Sequence, residues 1–221
     1  MRERNVQRAR DLVPSLMLTV LSMIQALALE MYWSQIGESA FLWTGSWHAV
    51  IGWLQVIGVF LGILLIWVLY VSFVLRFTWL PTLEDTLVPF LIGVLEFAMI
   101  DRMAPEHLGT WMLLMGGVFG LAIFTAHTTM RRARREPENA YFFDQVDPAT
   151  WMDYLRSFIT VVVLWALGIA LILVGFQPIL ALTAILFAIF SLLVQYYQAR
   201  KYWMHSLVTG DDAPPEPASE E

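Results

Sequence analysis

Long apolar stretches are the feature that most constrains how this chain can fold. Residues 12–33, 48–75, 83–100, 108–130, 158–175 and 178–197 form segments of roughly the length needed to cross ~30 Å of hydrocarbon. The composition, 58% hydrophobic and 14% charged, excludes a soluble globule. We therefore predict an all-α polytopic membrane protein, a helical bundle with six transmembrane helices.

The basic residues predict how those helices are oriented. Arg102 alone falls on one side of the six predicted spans, whereas the other twelve of the 13 basic residues fall on the opposite side. Those twelve are Arg2, Arg4, Arg8, Arg10, Arg76, Arg131, Arg132, Arg134, Arg135, Arg156, Arg200 and Lys201. Because loops rich in Lys and Arg stay in the cytoplasm, we predict an N-in/C-in protein of the cell (inner) membrane.

The same pattern divides the chain into three parts. Residues 1–11 form a basic cytoplasmic N-terminus, and residues 12–200 form the six-helix transmembrane domain, with an inner loop at 131–157. Residues 201–221 read as an acidic, disordered cytoplasmic tail. A cleaved signal peptide is the alternative for the N-terminus, but the apolar run continues past the cleavage-like sequence Ala26-Leu27-Ala28.

Tryptophans are expected to form two belts at the membrane interfaces. Near the outer ends of the spans lie Trp33, Trp43, Trp47, Trp53 and Trp111, and near the inner ends lie Trp79, Trp151 and Trp203. Indole rings favour the headgroup level because one edge is apolar and the other carries an N–H.

Small residues recur at helical spacing in three spans, which predicts surfaces for close helix packing. These residues are Gly58 and Gly62, Gly116 and Gly120, and Ala181, Ala184 and Ala188. Small side chains let two backbones approach closely inside a bilayer. The partner helix belongs to the same chain, to a second copy in a homo-oligomer, or to a partner membrane subunit.

Ionisable residues inside the spans are the candidates for function, since a carboxylate near a helix centre costs ~2.5–3.5 kcal/mol on insertion scales. Glu96 is the acid deepest in a predicted span, and it shares a helix face with Asp85. Glu30, Asp101 and His48 fall near the outer side. We expect these five residues to line an ion or proton pathway, with Glu96 suited to proton exchange.

The inner loop begins with a basic cluster, Arg131, Arg132, Arg134 and Arg135. Such a cluster attracts anionic lipid headgroups by ~1 kcal/mol per charge, although its role in setting the topology also explains it. The aromatic half of the loop predicts a short interfacial helix with Pro148 near its start and Trp151 and Tyr154 at the lipid boundary.

Several kinds of chemistry have no support in the sequence. The chain has no cysteine, which excludes disulfides and thiolate metal sites. The four histidines have no ligand-like spacing, and nucleophile and phosphate-loop motifs are missing. We predict no metal, no cofactor and no nucleic acid partner.

The leading functional prediction is a small channel or transporter for a cation or proton, with the lipid bilayer as its other partner. The alternative is a non-catalytic membrane subunit or assembly protein that binds partner helices. A third interpretation is a membrane enzyme that acts on lipid, with the outer acids and His48 as acid and base.

Overall fold

A computed structural model describes residues 2–80, 82–143 and 151–208 of the chain. These residues are almost wholly helical, and no strand occurs among them. The helices are α1 (Arg2–Glu38), α2 (Trp47–Arg76), α3 (Leu83–Asp101), α4 (Leu108–Ala133), α5 (Ala140–Phe143), α6 (Trp151–Val174) and α7 (Pro178–Val208). Short 3₁₀ turns lie at Ala40–Trp43, Pro105–His107 and Pro137–Asn139.

Five segments of these helices are long and apolar enough to cross a membrane. They are Leu12–Glu38, Trp47–Arg76, Pro105–Ala133, Leu155–Val174 and Pro178–Arg200. The prediction of an all-α polytopic membrane protein is therefore confirmed. At 19 residues, α3 is about 28 Å long, but it carries four acidic residues and is not among the five. A sixth span and the N-in/C-in orientation stay predictions.

The six long helices form a closed bundle. α1 packs on α2 and α3, α4 packs on α3 and α6, and α7 packs on α2 and α6. One end, which we call the arginine-rich end, contains Arg10, Arg76 and Arg132. The other, the opposite end, contains the turns Ala40–Trp43 and Pro105–His107.

The helices α4 and α6 approach each other closely at two glycines. A Cβ atom added at Gly109 would lie 2.8 Å from the carbonyl oxygen of Gly168, and one added at Gly168 would lie 2.8 Å from the carbonyl oxygen of Gly109. Two turns along α4, the indole of Trp165 lies over Gly116 and donates a hydrogen bond to the Leu113 carbonyl at 3.1 Å. Small residues thus bring the two backbones together.

The alanine face of α7 is also covered within the chain. Ala181, Ala184 and Ala188 are each 0% exposed, and α2 is the main packing partner of α7. Between α2 and α4, Trp111 fills the space above Gly58, where an added Cβ would lie 3.1 Å from the ring. Tight side-chain packing of this kind supplies the attraction that hydrophobic burial cannot give inside lipid.

Aromatic side chains form a second apolar cluster at the arginine-rich end. It consists of Phe77, Trp79, Ala133, Phe142 and Phe143. The amide of Asn139 joins this cluster to the chain leaving α2. It donates to the carbonyl oxygens of Thr78 at 2.7 Å and of Ala133 at 2.8 Å, and it accepts from the Thr78 backbone N–H. We call this cluster with Asn139 the arginine-rich cap.

Two tryptophans depart from the predicted interfacial belts. Trp111 is 0% exposed in the core between α2 and α4, and Trp79 is 2% exposed in the arginine-rich cap. The belt prediction was wrong for both because sequence position gives depth along the membrane and not the direction in which a side chain points. Trp33, Trp43 and Trp47 are exposed at the opposite end, as a belt requires.

The predicted domain boundary at residue 201 falls inside a helix, because α7 continues to Val208. The predicted disordered tail otherwise lies in 209–221, outside the described residues. Pro148, expected near the start of an interfacial helix, also lies outside them, and Trp151 instead begins the long helix α6. That helix ends before Gly175, whose φ of 80° suits a glycine at a helix terminus.

Replacing Ala184 by Leu should lower the free energy of unfolding by about 1–3 kcal/mol, because extra methylenes have no space on a fully buried face. Thermal unfolding in detergent measures this. The matched control is Ala166→Leu on α6, where the native side chain is exposed and the change should be close to zero. Equal stability of the two variants would mean that the alanine face is not packed against protein.

The orientation can be tested directly because the chain has no native cysteine. Single cysteines at the exposed positions Arg135 and Thr44 should differ in labelling by a membrane-impermeant maleimide. In intact cells Thr44→Cys should react, and Arg135→Cys should react only after the membrane is opened, since arginine-rich loops stay inside. The reverse pattern would overturn the N-in/C-in prediction.

Candidate ion-binding site

One face of α3 carries Asp85 and Glu96, the two acids predicted to share it, together with Pro89 and Gly93. Asp85, Pro89, Gly93 and Glu96 are all buried. At Gly93 the side chain of Ile24 from α1 occupies the space where a Cβ would stand, so the two helices lie close together. This face of α3 is therefore covered by protein. The helices α1 and α4 make most of the contacts with α3, and α1 makes the larger share.

Glu96 meets Gln25 of α1 in the interior of the bundle. The Gln25 amide Nε2 donates to Glu96 Oε2 at 2.8 Å, and each residue is 4% exposed. Glu96 Oε1 and Gln25 Oε1 are buried without a hydrogen-bond partner among the described residues. A buried acceptor left without a donor costs about 1–3 kcal/mol, so this pair is incompletely satisfied.

Asp85 is buried at the arginine-rich end in a different environment. Its Oδ2 accepts from Arg132 Nη1 at 2.6 Å, from the Thr82 backbone N–H at 2.8 Å and from the Thr82 hydroxyl at 3.1 Å. Arg132 also donates to Thr82 Oγ1 at 2.9 Å. The carboxylate thus caps the start of α3 and ties it to the end of α4 by a charge-assisted hydrogen bond.

The other acids predicted for the pathway do not join Glu96. Glu30 is exposed on α1, and Asp101 forms an exposed ion pair with Arg102 at 3.3 Å. His48 stacks on Phe176, with ring centroids 4.5 Å apart. Among the described residues, none of these three forms a hydrogen bond or ion pair with Glu96.

The four arginines predicted to contact lipid headgroups fall into two groups. Arg131 and Arg135 have exposed side chains at the end of α4. Arg132 binds Asp85, and the guanidinium of Arg134 lies 4.6 Å from the centre of the Phe143 ring. Arg132 therefore joins α4 to α3, and Arg134 contacts the arginine-rich cap through a cation–π interaction.

The remaining glycines of the predicted packing motifs have looser surroundings. An added Cβ at Gly120 would touch Val161 of α6 only at 4.0 Å, and one at Gly62 would meet nothing within 4 Å. The tight contacts of each motif thus fall on its first glycine, Gly58 or Gly116.

A groove opens between α1 and α2 beside Gln25. Its volume is about 250 Å³. Ser22, Gln25 and Ala26 are among the α1 residues that line it, and Phe60, Leu64 and Trp67 are among those from α2. At one end Trp67 Nε1 donates to the Ser22 hydroxyl oxygen at 3.3 Å. We call this hollow the α1–α2 groove.

Neither the contact of Gln25 with Glu96 nor the ion pairs of Arg10 were predicted from the sequence. Gln25 is the one amide in the apolar run 12–33, and its position three residues after Ser22, on the same side of a helix, was the available signal that it belongs to a polar contact. Arg10 binds Glu136 at 2.8 Å and Glu138 at 3.4 Å across 126 and 128 residues. No local sequence pattern predicts a contact between residues so far apart along the chain.

Within the described ranges, no group of three or more histidine, aspartate or glutamate side chains could hold a metal ion. Comparisons with protein-family models, with curated proteins and with solved structures gave no match to this chain.

Asp85→Asn should destabilise the protein by about 3 kcal/mol, because it leaves the partly buried Arg132 without its counter-charge. The matched control is Asp101→Asn in the exposed pair with Arg102, where the loss should stay within about 1 kcal/mol. Unfolding in detergent measures both. If Asp85→Asn unfolds at the same point as Asp101→Asn, then the contact does not anchor α3.

Proposed function

We propose that this membrane protein is a small channel or transporter that carries a proton or a small cation across the membrane, with the Glu96–Gln25 pair as the binding site. The observation that carries the proposal is the pair of buried oxygens, one from each residue, that accept no hydrogen bond. A proton on the carboxyl group, or a small cation held by the two oxygens, would supply the missing partner.

The contrast with Asp85 supports this assignment. Both carboxyl groups are buried on the same face of α3, yet Asp85 has three donors on one oxygen and Glu96 has a single amide donor. An acid kept in the membrane for packing alone is expected to be fully paired, because an incomplete pair weakens the fold. Asp85 fits an anchoring role in this proposal, and Glu96 fits binding.

Exchange with water is proposed to occur toward the opposite end. Glu30 is five residues beyond Gln25 on α1, and Asp101 is five residues beyond Glu96 on α3, a rise of about 7.5 Å in each helix. Both are exposed and lie at the edge of the bundle. An exposed carboxylate there, Glu30 above all because Asp101 is paired with Arg102, would raise the local concentration of cations near the entrance.

The alternative of a non-catalytic subunit rests on small-residue surfaces available to partner helices. Trp111, Trp165 and the neighbours of the α7 alanines occupy most of those surfaces from within the chain. No specific contact therefore favours that alternative over binding at Glu96.

The test is proton flux in liposomes that contain purified protein and a trapped pH-sensitive dye. A potassium gradient with valinomycin drives the flux, and replacing sodium by an impermeant cation separates protons from other ions. Glu96→Gln keeps the size and hydrogen-bonding shape of the side chain but removes the titratable group. We expect the flux to fall to the level of empty liposomes while the folded yield persists.

Glu38→Gln is the control, since Glu38 is exposed and accepts a hydrogen bond from Ser34. It should conduct as the parent does. If the parent protein carries neither protons nor other cations, the transport proposal fails and the alternative of a non-catalytic membrane subunit remains. Equal flux in the parent and in Glu96→Gln between about pH 5 and 8 would make Glu96 structural, and loss of flux only in Glu30→Gln would move the working acid to the entrance.

A further inference from the structure

Small residues on α1 facing large ones on α2 create the α1–α2 groove. Ser22 and Ala26 are four residues apart, on one side of α1, and they leave space opposite Phe60, Leu64 and Trp67. The volume of about 250 Å³ is below the ~300–1,000 Å³ of pockets for drug-sized ligands. The space therefore suits one ring or a length of hydrocarbon chain.

The lining decides between water and an apolar occupant. Apart from Ser22 and Gln25, the side chains around the groove are hydrocarbon or aromatic. Cavities with such walls stay dry and take up apolar molecules instead, since water needs two to four polar partners. Phe60, Leu64 and Trp67 are each more than a third exposed, so the groove is open to molecules dissolved in the bilayer.

Gln25 adds a specific polar feature to this apolar surface. It lines the groove while being 4% exposed, its Nε2 is committed to Glu96, and its Oε1 has no donor among the described residues. Ser22 lies one turn earlier, and its oxygen accepts from Trp67. The Gln25 Oε1 atom is buried behind the wall of the groove, so the Gln25 side chain must turn slightly for a ligand hydroxyl to donate to it and to accept from the Ser22 hydroxyl.

Depth in the membrane narrows the class of ligand further. Gln25 is at the middle of the apolar segment Leu12–Glu38. A phospholipid keeps its polar headgroup at the interface, so it can offer only an acyl chain to this position, and an acyl chain has no hydrogen-bond donor. A neutral molecule whose only polar group is a hydroxyl can reach the centre of the bilayer and satisfy Gln25.

We propose that the α1–α2 groove is a binding site for a neutral, bilayer-dissolved alcohol or phenol, whose hydroxyl group is held by Gln25 and Ser22 and whose apolar body lies against Phe60, Leu64 and Trp67. This site goes beyond the proposed transport function, because it needs no ion movement. It shares Gln25 with the candidate ion-binding site, and the amide oxygen accepts from the ligand hydroxyl only while neither a cation nor the proton of Glu96 occupies it.

Photoaffinity labelling in nanodiscs tests the site. The probe is a long-chain alkanol with an alkyl diazirine, and the matched probe is its methyl ether, which has the same shape but no donor. Peptides that contain residues 22–29 and 60–67 should be labelled roughly tenfold more by the alkanol than by the ether, the ratio expected for one good hydrogen bond. Labelling of lipid-facing α6 peptides serves as the internal reference.

Two variants locate the binding. Ala26→Phe fills the groove and should reduce the alkanol labelling to that of the ether, whereas Ala166→Phe, the same change on exposed α6, should leave it unaltered. Gln25→Leu should remove the difference between the two probes. Competition by an unlabelled alkanol and by an alkylphenol shows whether a chain or a ring binds better.

Equal labelling by alkanol and ether in the parent protein would mean that the groove holds an acyl chain of the surrounding lipid only, and the proposal would fail. It would also fail if Ala26→Phe left the alkanol labelling unchanged. Neither outcome bears on proton flux, which is measured without the probe. Failure of the transport assay, in turn, would leave the labelling result intact.

Discussion

The close approach of α4 and α6 at Gly109 and Gly168 is the contact on which the rest of the bundle depends. Inside lipid the helices gain little from hydrophobic burial, so short backbone distances and tight packing must hold them together. With α4 fixed against α6, its other faces place Trp111 over Gly58 of α2 and Arg132 beside Asp85 of α3. A single helix thereby sets the positions of three others.

The buried polar side chains of the described residues differ in how fully they are hydrogen-bonded. At the arginine-rich end, Asp85 and Asn139 each take part in several hydrogen bonds that join helix ends or loops. In the bundle interior, the contact between Gln25 and Glu96 leaves an oxygen of each without a donor. Satisfied networks rigidify a structure, whereas incomplete ones mark places where something else can bind. Our proposal that the Glu96–Gln25 pair binds a proton or a cation rests on that contrast.

Helical class and the positions of the apolar segments could be predicted because they depend on local composition and on the thickness of a bilayer. The buried alanine face of α7 followed from spacing alone. The predicted grouping of Glu30, His48 and Asp101 with Glu96 is not found, because positions near the ends of neighbouring helices do not determine which side chains meet. The partners of Glu96 and Arg10 lie 71 and 126 residues away, where only the packing of whole helices determines which side chains meet.

The ion pair between Arg10 and Glu136 can form only after both residues have been synthesised. A ribosome adds ~5–20 residues per second, so the 126 residues between these partners take about 6–25 s to synthesise. Gln25 can meet Glu96 once 71 further residues have been made, whereas Arg10 can meet Glu136 only after 126. The packing of α1 on α2 and α3 thus needs no residue beyond Asp101, whereas the link from Arg10 needs a chain made past the end of α4, as far as Glu136.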